Sequence, residues 1–132
     1  MIPASRLFLA ASFFYLALGP LLGLVIAADP GLTGWLRMPH AHSTLVGGYG
    51  MLIFAVAYHV LPRFTGRPLY SERLTLWHFY LANVSLPLVI IAVPLSWTHP
   101  SGRVLAVAAA GGLAASFLVF VFNMTKTLFS KR

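Results

Sequence analysis

The sequence predicts an all-α membrane protein, four transmembrane helices in an up-and-down bundle. Three observations predict it. The 132 residues are 59% hydrophobic and only 8% charged, against about 25% charged in a soluble domain. The apolar residues fall into four stretches, each near the roughly 20 residues that a spanning helix needs. The connections between them are short, which favours antiparallel neighbours.

The first stretch runs from Leu7 to Ala28, after Arg6, and stops at Asp29-Pro30-Gly31, a strong turn signal. Its apolar core exceeds the 7–15 residues of a signal-peptide h-region, so a retained helix is expected. The second runs from Pro39 to Leu61, with proline suited to the first helical turn. The third covers about Leu74 to Trp97 and the fourth about Val104 to Met124. Together, residues 1–132 read as a single four-helix domain, with helices at about 7–28, 39–61, 74–97 and 104–124.

Basic residues set the expected orientation. With the N-terminus in the cytoplasm, Arg6, Arg63, Arg67, Arg73, Lys126, Lys131 and Arg132 lie inside, and Arg37 and Arg103 outside. That is the positive-inside pattern, with both termini cytoplasmic. Trp35 and Trp97 then sit at the outer interface and Trp77 near the inner one, as an aromatic belt requires. The net charge of +7 is accounted for by this topology, and no nucleic-acid partner is expected.

Composition also removes chemistry. There is no cysteine, which excludes disulfides, thiolate metal sites and c-type haem attachment. Asp29 and Glu72 are the only carboxylates, too few for acid–base hydrolysis or a carboxylate metal cage. The histidines remain. Ionisable residues within a membrane are costly and are functional candidates by default, and neutral imidazole is a common ligand for haem iron, copper and zinc.

His42 is the leading candidate. At about 100° per residue, His42, Leu45, Val46, Tyr49 and Ile53 form one stripe of the second helix. Ser43, Gly47 and Gly50 form another, roughly 100° round. The first stripe is suited to face a cofactor, the second to let a helix approach closely. Ala108, Gly112 and Ser116 have the same small-residue spacing in the fourth helix. His59 lies 17 residues beyond His42, about 25 Å along the axis and on another face. One mononuclear site cannot use both. His40, two residues from His42, cannot share its face. His99 sits between Thr98 and Pro100 in a loop. His59 and His78 lie at similar inner depth, suited to an interhelical hydrogen bond or to a second haem or metal. Asn83 and Ser85 read as packing hydrogen bonds.

The run His42-Ser-Thr-Leu-Val-Gly-Gly-Tyr-Gly50, with Tyr58-His-Val-Leu-Pro62-Arg-Phe-Thr-Gly66-Arg-Pro-Leu-Tyr70 and Leu76-Trp-His-Phe-Tyr80, resembles haem–copper oxidase catalytic subunits, cbb3-type oxidases and nitric oxide reductases among them. The resemblance is to their second and third helices and spans roughly Leu7 to Val93. It implies a haem b with His42 as an axial ligand near the outer surface, with Tyr49, Gly47 and Gly50 around it. Arg37 and Arg103, the outer cations, are candidates to pair with the propionates. His99, His59 and His78 are secondary candidates for iron. The family's binuclear-centre ligands have no match here, so terminal oxidase or nitric oxide reductase activity is not expected from this chain alone.

The expected function is electron transfer or haem-based sensing in a prokaryotic inner (plasma) membrane, with quinol or another membrane redox protein as partner. A homodimer is expected, its two His42 side chains facing across one haem. Two alternatives stand beside this: a haem-free structural or assembly subunit, and a five-coordinate haem enzyme acting on nitric oxide or oxygen.

Overall fold

The computed structural model describes residues 2–130; Lys131 and Arg132, counted above among the inner basic residues, lie outside them. The chain is all-helical, and four stretches are long and apolar enough to cross a membrane: Pro3–Ala28, Pro30–Phe64, Glu72–Ser96 and Pro100–Phe129. Helix α1 is Pro3–Ala28. The second stretch is composite. A 3-10 turn, Pro30–Leu32, leads into α2 (Thr33–His42), then a π-helical segment, Ser43–Gly50, and then α3 (Met51–Phe64). Helices α4 (Glu72–Ser96) and α5 (Pro100–Phe129) follow.

The second stretch begins well before Pro39, where the sequence places its start. Asp29 explains why. Its side chain accepts from Gly31 N at 2.9 Å and Pro30 takes the first position, so Asp-Pro-Gly starts a helix as well as ending one. Pro39 lies inside α2 and is buried. The other starts are also capped. Ser71 accepts from Leu74 N at 3.1 Å ahead of α4, and Pro100 opens α5 directly after His99. Helix α3 ends at Phe64 and is closed off by Gly66, whose φ of 61° is the left-handed conformation open to glycine; Gly66 N and Arg67 N donate to the Arg63 and Pro62 carbonyls.

Contacts between segments run in opposite order along them. Ser12 meets Gly48, Tyr15 meets Gly47, Gly19 meets Thr44 and Gly23 meets His40. Between α4 and α5, Ser71 and Thr75 meet Asn123, Ser85 meets Gly112, and Ser96 meets Gly102. These are small-residue contacts, as helix association in lipid favours. The core is Phe8, Tyr15, Met51, Phe54, Ala55, Tyr58, Ala82, Leu86 and Met124. One expected contact face shifts at a single position. Ala108 is exposed and Ala109 is buried in its place, while Gly112 meets Ser85 and Ser116 is buried as expected.

The two ends differ in charge. Arg67 reaches the Ser130 carbonyl at 2.8 Å, and Ser71 N reaches Asn123 at 3.1 Å. The loop after α3, the start of α4 and the end of α5 therefore share one end, here called the basic end. Trp35 and Trp97 meet at the opposite end, ring centroids 6.3 Å apart.

Candidate functional site

The π-helical segment begins at the residue after His42. Single-turn π features cluster at functional sites because one inserted residue rotates the helix face on either side of it. Here α1 grips the segment. The Ser12 hydroxyl donates to the Gly48 carbonyl at 3.0 Å, both buried. A Cβ on Gly47 would fall 2.6 Å from Tyr15 Cδ1 and 2.7 Å from its Cβ; one on Gly48 would fall 2.7 Å from Leu16 Cδ2. Only glycine permits this approach. Gly50, expected in the same contact, instead lies nearest its own Leu45 carbonyl, 3.4 Å from a would-be Cβ. The wider π turn moves Gly48 onto α1 in place of Gly50.

The opposite face is bare. Leu45 is 62% exposed, Tyr49 53%, Ile53 61% and Val56 49%. Of the expected cofactor stripe, Val46 alone turns inward, against the core. His42 heads this face. It is half-buried, and its Nδ1 lies 3.2 Å from the Met38 carbonyl one turn earlier. With Nδ1–H donating there, Nε2 is left with a lone pair, and it makes no hydrogen bond among the described residues. A groove of about 550 Å³ opens beside it, lined by Thr33, Gly34, Arg37, Met38, Ala41, His42 and Trp97. The structure thus brings Arg37 to His42. It does not bring Arg103, which lines a separate surface hollow with Pro100, Val104, Val107 and Ala108.

The other histidines are elsewhere. His40 turns the other way, its Nδ1 2.8 Å from the Gly19 carbonyl and its ring against Gly23. His99 is exposed, its Nδ1 2.8 Å from Thr98 Oγ1. His59 is held by Arg63, which also donates to the His59 carbonyl at 2.6 Å. His78 is fully buried, and Tyr58 OH lies 3.1 Å from its Nδ1. The rings of Phe8, at 4.7 Å, and Phe54, at 4.5 Å, close over it. His59 and His78 therefore face different surroundings, and the interhelical bond goes to Tyr58. Asn83 donates to the Phe79 carbonyl of its own helix at 3.0 Å. Among the described residues no three histidines or carboxylates cluster as a metal site would need.

Of the other groove residues, the sequence reads Trp97 only as an interface aromatic and gives Thr33, Gly34, Met38 and Ala41 no role. The Met38 carbonyl follows from the i, i−4 spacing and was legible. Trp97, on α4's far end, is brought in only by the fold.

Residues 32–104, more than half of the chain, match the family Cytochrome C and Quinol oxidase polypeptide I. The chain belongs to that family. It is 40% identical over 62 residues to cytochrome c oxidase subunit 1 of Rhodobacter capsulatus, covering 46% of this chain and 12% of that protein. It is 30% identical over 93 residues to a cytochrome c oxidase subunit 1 homolog of Agrobacterium tumefaciens (strain T37), covering 67% of this chain and 16% of that protein. The chain thus spans less than a fifth of the length of these relatives. No solved structure matches it. The matched region contains His42, its groove and Trp97. The chain is accordingly a relative of haem–copper oxidase subunit I, built of helices long and apolar enough to span a membrane.

Proposed function

We propose that this subunit I relative binds haem b at His42 and exchanges single electrons through it within a prokaryotic plasma membrane. One observation carries the reading. The His42 Nδ1 is tied to a backbone carbonyl at 3.2 Å, Nε2 makes no hydrogen bond among the described residues, and the residue lines the groove. A ligating histidine almost always donates its second ring N–H to a carbonyl, carboxylate or water, which fixes tautomer and ring orientation. The residues present fit a haem: an imidazole with the correct nitrogen free, an Arg37 guanidinium in the same groove for propionates, and the indole of Trp97. Bound there, haem supplies a ferric–ferrous couple. His42 would hold the iron and Arg37 would offset negative charge, with Leu45 and Tyr49 exposed on the same face beyond the groove.

Beyond the groove, Leu45, Tyr49, Ile53 and Val56 continue the His42 face and are exposed, so this face is open to a partner. A second copy would cover this face and bring its own His42, and the reading is therefore a homodimer sharing one haem b. Twofold dimers are the commonest assembly. In this reading the bundle is up-and-down, both termini are cytoplasmic, and quinol or a membrane redox protein exchanges the electron.

The same openness favours a second reading, a five-coordinate haem with a free position for nitric oxide or oxygen. A reduced-minus-oxidised spectrum of the purified protein, with haem supplied during expression, tests both. A low-spin spectrum unchanged by carbon monoxide supports the first. A carbon monoxide shift supports the second. No Soret band at all would leave a haem-free structural subunit.

A further inference from the structure

We propose that the basic end of α4 carries a binding site for an anionic phospholipid, with Arg73 holding the headgroup phosphate and Trp77 and Tyr80 flanking it. Three of the other cations of that end are engaged within the chain. Arg63 donates to the His59 ring and carbonyl, Arg67 donates to the Ser130 carbonyl at 2.8 Å, and Lys126 lies 5.8 Å over the Phe122 ring. Arg73 makes no hydrogen bond, ion pair or aromatic contact among the described residues. It lines a hollow of about 220 Å³ with Leu76, Trp77 and Tyr80. A guanidinium presents five donors in a planar fork that fits a phosphate.

The surroundings select a lipid over a free ion. Trp77 is 62% exposed and Tyr80 55%, and such rings settle at headgroup depth. Below them Val84, Leu88, Ile91 and Leu95 are exposed at helical spacing, an apolar track on the same helix for an acyl chain. The only carboxylate nearby in sequence, Glu72, lines a different hollow, with Ile2, Pro3 and Ala4 across Leu76. The site therefore joins one unpaired cation, two interfacial rings and an apolar track, and a phosphodiester headgroup on a diacyl tail matches all three.

Trp77 itself reports occupancy. In a Trp35→Phe, Trp97→Phe background, the full chain is placed in bilayers containing brominated phosphatidylglycerol or brominated phosphatidylcholine, and quenching of Trp77 gives the relative association constant. The expected preference for phosphatidylglycerol is about fivefold, the contribution of one basic residue near an anionic surface. Arg73→Gln should reduce it to about one, and Arg73→Lys should keep part of it. Arg103→Gln, at the opposite end, should leave it unchanged. Equal quenching by both lipids, or a preference that survives Arg73→Gln, overturns the proposal. So does loss of the preference in millimolar inorganic phosphate, which would mark a free-anion site. Retained helicity by circular dichroism shows that each variant is folded.

Discussion

Ser12 and Gly48 are joined across the α1 interface by a hydroxyl-to-carbonyl hydrogen bond of 3.0 Å, buried at both ends. The bond ties α1 to the π-helical segment that separates His42 from α3. Removing the hydroxyl leaves the buried Gly48 carbonyl with only its bond from Met51 N. Ser12→Ala should therefore destabilise the fold by about 1 kcal/mol, in the range measured for interhelical bonds in membranes. Gly47→Val, which drives a side chain into the Tyr15 ring, should cost more, about 1–3 kcal/mol by overpacking. Detergent-induced unfolding followed by circular dichroism measures both, and a neutral Gly47→Val would contradict the close approach described here.

His42→Ala should abolish haem binding, because it removes the imidazole that faces the groove. His99→Ala should leave the low-spin spectrum intact, since His99 is a loop residue bonded to Thr98. Haem content per chain in the purified variants reads this out. Full occupancy in His42→Ala would move the site elsewhere.

The shared-haem arrangement fixes a stoichiometry of about one haem per two chains, and His42→Ala should also weaken the dimer. Pyridine haemochrome assay with mass measurement in detergent gives both quantities. One haem per chain with a monomeric mass would exclude the twofold site.

Arg37 and Arg103 were equivalent in sequence and are not equivalent in the fold. Arg37 shares the His42 groove and Arg103 does not. A cation near the haem opposes loss of an electron and so raises the potential. Arg37→Leu should lower the midpoint by on the order of tens of millivolts, as expected for one nearby charge in a partly screened site. Arg103→Leu should leave it in place. Spectroelectrochemical titration distinguishes the two, and an unmoved potential in Arg37→Leu would assign that arginine to the interface alone.

The basic residues predict a cytoplasmic location for the loop after α3 and for the C-terminus. Among the described residues, Arg6, Arg63, Arg67, Arg73 and Lys126 fall on the basic side of that count, and Arg37 and Arg103 on the other. Reporter fusions after Gly66 and after Ser130 should be active only in cytoplasmic assays. Periplasmic activity at either position would reverse the orientation.

Composition is enough for the class of protein, and residue spacing is enough to propose His42 as the centre of a site. Long apolar stretches must be helical in lipid because every backbone group has to be satisfied within the segment, so the four stretches were legible from composition. Local spacing also placed His42 with Leu45, Tyr49 and Ile53 on one face, and separated it from His59. What sequence periodicity could not show was the π-helical segment. A uniform 100° per residue has no means of announcing an inserted residue, so Gly50 was assigned the contact that Gly48 makes with α1. The Asp29-Pro30-Gly31 triplet is ambiguous for a related reason: the same residues end one helix and cap the next, and only the placement of α2 resolves it. The remaining decisions belong to tertiary structure. Trp35 meets Trp97, His78 pairs with Tyr58 rather than His59, and Arg37 rather than Arg103 shares the His42 groove. These are contacts between residues far apart in the chain, set by how small residues let the helices settle against one another, and no local pattern encodes the rotation at which they come to rest.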